Sequence, residues 1–536
     1  MNLPINIFYW CLAMLPILLL LILMVKFQWG ASKAAPVTLV LTILISMLFY
    51  KANLTVIGIE ILKALWNSFS IILVILTAIL LYEVSNEAKS FKVLNKTFEK
   101  LAPNELLRIM GIGIAFASFL QGVTGFGVPV LVTAPLLIGI GVSPIWAVII
   151  PLIGHSWAGT FGTLAIAWNS MIMQTGIKDI SMINSIALYA SVLLFILNFL
   201  ASGAIAYFYG GLKGLKKGLV AIVLISISQG VGQIIFSQIN ADLAVFIPSS
   251  ISLVILILLS KSPLYRDSWQ VTDSKIMLKR EKTSEAADED NMTIHDAFMP
   301  YYLMTSITLI VLLVSPINKL LSKFSYGPSF IQTETGFGVV NKMVTQFSPI
   351  KPFTHASMFL LASALLGYIY YLNKSLVKKS SFNNVLKRTI KKALPSSFAV
   401  VSLISMSKVM AGTGQTEVLA QGVSIVLGNY YVVISPFIGL LGSFMTGSNM
   451  SSNILFGDFQ MKTAQIVGLN TSAILGAQTA GGGIGTSIAP GNIVLGTTTA
   501  EILGSEGKVL KKIIPFALAV ACIFGFLLYI YHLLLN

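Results

Sequence analysis

Apolar runs of roughly 20 residues recur along this chain, parted by short polar loops, and that pattern fixes the medium in which it folds. A helix of that length satisfies its own backbone bonds and rises about 30 Å, the thickness of a bilayer's hydrocarbon core. Only 10% of the residues are charged and 56% are hydrophobic, whereas a soluble domain carries roughly 25% charged residues. The chain therefore reads as an all-α polytopic membrane protein. About twelve transmembrane helices are expected, at 7–25, 36–50, 66–84, 145–169, 183–208, 218–237, 242–260, 300–315, 355–373, 393–410, 470–497 and 513–534. The first run has no basic stretch before it and exceeds a signal-peptide core, so it reads as a retained helix. The net charge of +15 comes from Lys and Arg in the loops, the bias of cytoplasmic loops. No basic stripe is interleaved with aromatics, which excludes a nucleic-acid partner and leaves membrane lipid. Cys11 and Cys522 lie in apolar runs and are expected to be buried packing residues, with neither a disulfide nor a metal site.

Two segments, 106–141 and 430–466, depart from the pattern. Each has apolar arms of about 15 residues, or about 22 Å, around a Gly-rich centre. Such arms are too short to cross, so both segments read as re-entrant helical hairpins. In the first, Ser118 to Val130 reads SFLQGVTGFGVPV, with Gly122, Gly125, Gly127 and Pro129 within eight positions. Gly costs about 1 kcal/mol and Pro about 3 in a helix interior, so the helix breaks there.

The loops give the orientation. Lys374 to Lys392 carries seven basic residues and no acid, which places it in the cytoplasm. Counting spans from it puts 261–299, the Lys213–Lys217 loop and Lys508–Lys512 inside, and both termini outside. The first hairpin then enters from the cytoplasm and the second from outside. The polar segment 261–299 reads as a solvated connector. The chain divides into N-terminal helices (1–65), a first repeat (66–208), connecting helices (209–260), the linker (261–299), further helices with the basic loop (300–392) and a second repeat (393–536).

The repeat shows in short matches. Ser118-Phe119-Leu120-Gln121-Gly122 has a counterpart in Ser443-Phe444-Met445-Thr446-Gly447. Gly162-Thr163 follows Ser118 by 44 residues, and Gly485-Thr486 follows Ser443 by 42. Broken helices at matching places in repeats of opposite topology point to a transporter binding site near mid-membrane. The recurrence of Thr124-Gly125-Phe126-Gly127 at Thr335–Gly338 falls in a polar loop without that context and reads as coincidence.

SFLQGVTGFGVPV resembles the first signature of the lactate permease family, close to S-F-L-E-G-A-A-G-F-G-x-P-V. GSFMTGSNMSSNILF (Gly442 to Phe456) resembles the second, and AGGGIGTSIAPGNIVLG falls where that family has a Gly-rich segment. The resemblance runs over most of the chain. It implies membership of a broader ion-transporter superfamily and a homodimer whose scaffold and mobile transport domains work by an elevator-like movement. It also implies that Gly447-Ser448-Asn449-Met450 is a hairpin tip holding substrate, with Met where Thr is usual. Two departures bear on coupling. Gln121 replaces the Glu of the usual signature, and an amide does not titrate near neutral pH. His155, where the commoner form has an Asn nearby, is an alternative proton carrier.

The break chemistry suits an anion. A helix N-terminus offers unpaired N–H groups and about half a positive charge, and Gly allows close approach. The first helix is expected to restart at Val128-Pro129 and the second near Ser451-Ser452-Asn453. The candidate substrate residues are Gln121, Gly122, Gly125, Phe126, Gly127, Gly447, Ser448, Asn449, Ser452, Asn453, Thr163 and Thr486. The alternatives are close helix packing for the glycines, satisfying the hairpin backbone for Ser448, Asn449 and Asn453, back-bonding to their own helix for the two threonines, and a satisfied interior side chain for His155. Asp458 reads either as a second ion-coupling candidate beside His155 or as a hydrated flank. Lys408 reads either as an anion partner or as a side chain snorkelling to the interface.

Together with these features, the resemblance implies a symporter for a small monocarboxylate, lactate or another 2-hydroxy acid such as glycolate, with protons as the family's usual coupling ion and sodium as the alternative. Another organic anion, a dicarboxylate or sulfonate, is the second reading and an anion channel the third. No cofactor or metal is expected. GGGIGTS lacks the strand and helix of a nucleotide-binding unit, and no acid/base constellation suggests an enzyme.

Overall fold

The computed structural model describes residues 3–27, 29–91, 93, 103–125, 127–278 and 292–535. It is helical almost throughout. Among the described residues eleven helical stretches are long and apolar enough to cross a membrane, and they include the first arms of both expected hairpins, within Glu105–Val123 and Gln415–Thr446, which are longer than the roughly 15 residues expected; large apolar side chains such as Val40, Leu44, Leu48 and Phe398 are exposed around the molecule. The chain is an integral multi-pass membrane protein. Cys11 and Cys522 are exposed rather than buried, a placement that lipid leaves unpenalised for small apolar side chains.

Several boundaries differ from the sequence reading. The helix expected at 66–84 runs from Leu54 to Glu87, 34 residues. Glu60 and Lys63 interrupt the apolar run in sequence, but in the fold they pair with each other at 2.6 Å. The spans expected at 183–208 and 218–237 form one bent stretch, Ile180–Ser226. It turns at Gly210-Gly211 and continues through a π-turn stretch, Ile227–Val231, to Gly232–Ile239. A helix at Gln415–Leu427, absent from the sequence reading, follows the left-handed turn at Gly414. One small antiparallel pair, Thr333–Glu334 with Val340–Asn341, qualifies the all-α expectation. Its turn contains the Thr335–Gly338 coincidence, and Gly336 N donates to the Lys51 carbonyl, away from both breaks.

Each half contains a helix–break–helix unit followed by a broken helix. The first unit is Glu105–Met110, a π-turn stretch Gly111–Phe116, and Ala117–Val123, then Val128–Gly139. The second is Tyr431–Thr446 and Asn449–Val467. The expected spans 145–169 and 470–497 are each three pieces. One is Pro144–Gly154, a 3-10 turn Ser156–Gly159 and Gly162–Thr175. The other is Thr471–Gly485, Thr486–Ile488 and Pro490–Thr499. The two 3-10 turns touch.

Both ends of the first unit are held by the same segment. Glu105 N donates to the Trp269 carbonyl and Ser143 N to the Ile276 carbonyl. That part of the linker is packed rather than solvated, with Tyr265 and Ile276 buried. The second unit is held at both ends by the last helix, Glu506–Leu535. Tyr430 stacks on Tyr529, and Asn470 donates to the Tyr531 hydroxyl at 3.4 Å. The other end of that last helix carries Lys512, whose ammonium lies 5.1 Å from the Trp146 ring beside the first unit.

Candidate functional site

Both units break at a left-handed glycine, where a side chain would be strained. Gly127 (φ 81°) leads into Val128–Gly139, with Pro129 in its first turn, as the sequence predicts. Gly447 (φ 76°) ends the arm Tyr431–Thr446. The second helix restarts at Asn449, earlier than the expected Ser451–Asn453, because Ser448 adopts an extended conformation and caps it.

A pocket lies where the breaks meet. Of the sequence-predicted residues, Gln121, Gly127, His155, Thr163, Gly447, Ser448, Asn449 and Thr486 line it. Three helix N-termini reach its wall, through Gly127, through Ser448-Asn449 and through Asn492 in the first turn of Pro490–Thr499. Their partial positive charges favour an anion. Among the described lining residues none is Lys, Arg, Asp or Glu, and His155 is the one ionisable side chain. His155 is buried, and its Nδ1 has no protein partner.

The wall includes a strained turn. Thr163, Leu164 and Ala165 have φ of 50°, 49° and 58°, a left-handed conformation costing roughly 1–2 kcal/mol per non-glycine residue. Hydrogen bonds from Ala165 N to Phe161 O and from Trp168 N to Thr160 O, both 3.1 Å, brace it. Strain of this kind concentrates at functional sites. Gly162 is required beneath it, since a Cβ there would stand 2.8 Å from the Gln121 carbonyl.

Asn449 ties the repeats together. Its Nδ2 donates to the Thr479 carbonyl (2.9 Å) and to Thr160 Oγ1 (3.2 Å), while Thr160 Oγ1 donates to the Thr479 carbonyl. Asn453, one turn on, donates to the Ala167 carbonyl (3.0 Å) and Thr479 Oγ1 (2.9 Å). It stands behind the pocket wall rather than on it.

Other candidates are placed elsewhere. Gly122 packs on the Phe246 backbone, and Gly125 sits under Thr163 Oγ1. Ser452 donates to the Gly439 carbonyl at 2.8 Å, joining the two arms. Thr486 donates to the Gly483 carbonyl at 2.7 Å, the back-bonding alternative, while still lining the pocket. Asp458 pairs with Lys462 at 2.9 Å. Lys408 lines a separate vestibule, 5.8 Å from the Phe347 ring centre. Phe126 lies outside the described residues. Asn492 and Thr160 escaped the sequence reading. Asn492 had a readable signal, an amide two residues after the helix-starting Pro490, and it bonds the Gly447 and Thr486 carbonyls at 3.2 and 3.0 Å.

Residues 10–535 match the L-lactate permease family. The L-lactate permease of Escherichia coli K12 is 25% identical over 540 residues, covering 96% of this chain and 94% of that protein. The L-lactate permease of Halalkalibacterium halodurans is 25% identical over 523 residues, covering 97% and 94%. Among solved structures, the Alcanivorax borkumensis YdaH transporter aligns at 15% identity over 82% of this chain and 87% of that one. Its TM-score of 0.32 is too low to equate the two folds.

Proposed function

Because the chain belongs to the L-lactate permease family, we propose that it is a secondary active transporter. It carries a small monocarboxylate, lactate or a related 2-hydroxy acid such as glycolate, together with protons. The observation that carries this reading is the pocket where both breaks meet, ringed by three helix N-termini and free of fixed charge among its described lining residues. Such a site binds one small anion through N–H groups and hydroxyls without the desolvation cost of a buried lysine. His155 is the titratable side chain that this wall offers. Gln121 stands on the wall as a neutral amide, so the coupled proton is carried by another group.

The two helix–break–helix units are re-entrant hairpins entering from opposite sides. Support comes from the anchoring of both ends of each unit to one segment, 262–278 for the first and the Tyr529–Tyr531 end of the last helix for the second. A dimer in which the hairpins and broken helices move as a body against a scaffold completes this reading.

The test is uptake into proteoliposomes of lactate, glycolate, a dicarboxylate and a sulfonate, under proton and sodium gradients imposed separately. Uphill accumulation of lactate or glycolate driven by protons alone is expected. Accumulation driven only by sodium would replace the coupling ion, and strictly downhill flux would replace the transporter with a channel.

A further inference from the structure

Behind the strained turn lies a second cavity, lined among others by Ser70, Ile166, Asn169, Asp242 and His355. Ile166 belongs to both walls, so one turn of Gly162–Thr175 separates this cavity from the substrate pocket. The cavity shares Ser70, Asn169 and His355 with a wide vestibule that carries Lys178, Lys351 and Lys408. On the orientation expected from the basic loop Lys374 to Lys392, that vestibule faces the exterior.

Asp242 sits in a short 3-10 turn, Ala241–Leu243, capped by Asn240. Its Oδ1 accepts a hydrogen bond from Asn169 Nδ2 at 3.1 Å. Glu60, Glu83 and Asp458 each have a cationic partner, whereas among the described residues no Lys or Arg pairs with Asp242. The helices packed against its turn are Gly162–Thr175, Gly232–Ile239 and Phe246–Lys261. Between them they carry one charged side chain, Lys261, at the far end of its helix. His355 is the other ionisable group on the cavity wall. Its Nε2 meets Ser70 Oγ at 3.0 Å and its Nδ1 meets Ser357 Oγ at 2.8 Å.

An ionisable side chain in a membrane protein, bonded to a neutral amide and open to a cavity, is a place for a proton. We propose that Asp242 is the group that carries the coupled proton, with His355 beside it in the same cavity and Asn169 linking its charge state to the substrate pocket. This rests on the transporter reading above. The sign is that of symport. An ionised Asp242 one turn from the pocket repels a carboxylate, and protonation removes that repulsion, so proton and anion bind with positive cooperativity. Asn169 also lies on the helix that begins with the Thr163–Ala165 turn. A change in its bond to Asp242 is thus transmitted to the pocket wall.

The experiment compares two modes of labelled lactate movement in proteoliposomes holding the full chain. One is accumulation under an inward proton gradient, and the other is lactate–lactate exchange at equal pH. Asp242→Asn is expected to lose accumulation by about tenfold or more, the scale of an ordinary coupling free energy, while retaining exchange. Asp242→Glu is expected to keep accumulation. Accumulation by Asp242→Asn at the wild-type level overturns the proposal. Loss of exchange together with accumulation also overturns it, because Asp242 is then structural. A wild-type chain that exchanges no lactate overturns the transport reading itself, and so is distinguished from a failure of the Asn variant alone.

Discussion

Gly482 and Asn449 are in such close apposition that a Cβ on Gly482 would stand 1.9 Å from Asn449 Oδ1 and 3.1 Å from Ser443 Oγ. The first of these distances is impossible, so any side chain there displaces Asn449 from Thr160 and Thr479. Gly482→Ala is therefore expected to cut substrate uptake by about tenfold, the effect of about 1.4 kcal/mol at a binding site, while the protein still reaches the membrane. Gly457→Ala is the matched control, because its Cβ would have ordinary contacts at 3.5 and 3.6 Å. Equal uptake by the two variants would refute the wedge.

The tip residues give a second test. Ser448→Ala removes the cap of Asn449–Val467, costing about 1 kcal/mol and loosening an N-terminus that faces the pocket. Asn449→Ala removes the bonds to Thr160 and Thr479. Both variants should lower uptake at unchanged membrane expression, Asn449→Ala more strongly. Wild-type uptake in both would remove the tip from the site.

The sequence exposed the breaks because Gly and Pro act locally, and a helix interruption is written in a few adjacent residues. Gly127, Gly447 and the Gly162 and Gly485 regions were legible for that reason. Helix ends were less so. Glu60 and Lys63 look like loop residues until their mutual pairing is seen. The bend at Gly210-Gly211 hides in what reads as a loop between two spans. The site was half legible. Asn449 stands in a recognisable motif, but Thr160, Asp242 and His355 reach their places through contacts between segments far apart in sequence. The Thr163–Ala165 turn was invisible, since β-branched Thr and apolar Leu carry no local preference for left-handed backbone.

His155 and Asp242 make opposite predictions. His155 lines the substrate pocket, so His155→Gln should weaken the apparent affinity for lactate, raising KM, while proton-driven accumulation at saturating substrate persists. Uptake kinetics at several external pH values measure both quantities. Loss of the pH dependence in His155→Gln, with KM unchanged, would assign the proton to the imidazole instead.

The ion cluster at the end of the Leu54–Glu87 helix is a stability device. Arg388 Nε and Nη2 reach Glu83 and Glu87 at 2.7 and 2.5 Å, and Lys392 meets the other Glu83 oxygen at 2.5 Å. The Glu83 side chain is fully buried while Arg388 is partly exposed. Arg388→Ala should thus lower the unfolding temperature, since it leaves a buried carboxylate under-compensated. Arg388→Lys should recover part of the loss, because an ammonium lacks the fork that serves two carboxylates. An unchanged melting curve for the Ala variant in detergent would show that Lys392 alone suffices.

Strain at the pocket wall can be measured directly. Ala165 has φ 58° and is buried, so Ala165→Gly keeps the same backbone without the Cβ clash. The gain from relieving it is roughly 1 kcal/mol, partly offset by the greater freedom of glycine in the unfolded chain. If the turn is held against its own preference by the surrounding bonds, Ala165→Gly should raise the unfolding temperature and leave membrane insertion intact. Uptake should fall, because a glycine frees the turn that fixes Thr163 on the pocket wall. A lower unfolding temperature would mean that the left-handed turn carries no strain to relieve, and unchanged uptake would mean that its rigidity does not position Thr163.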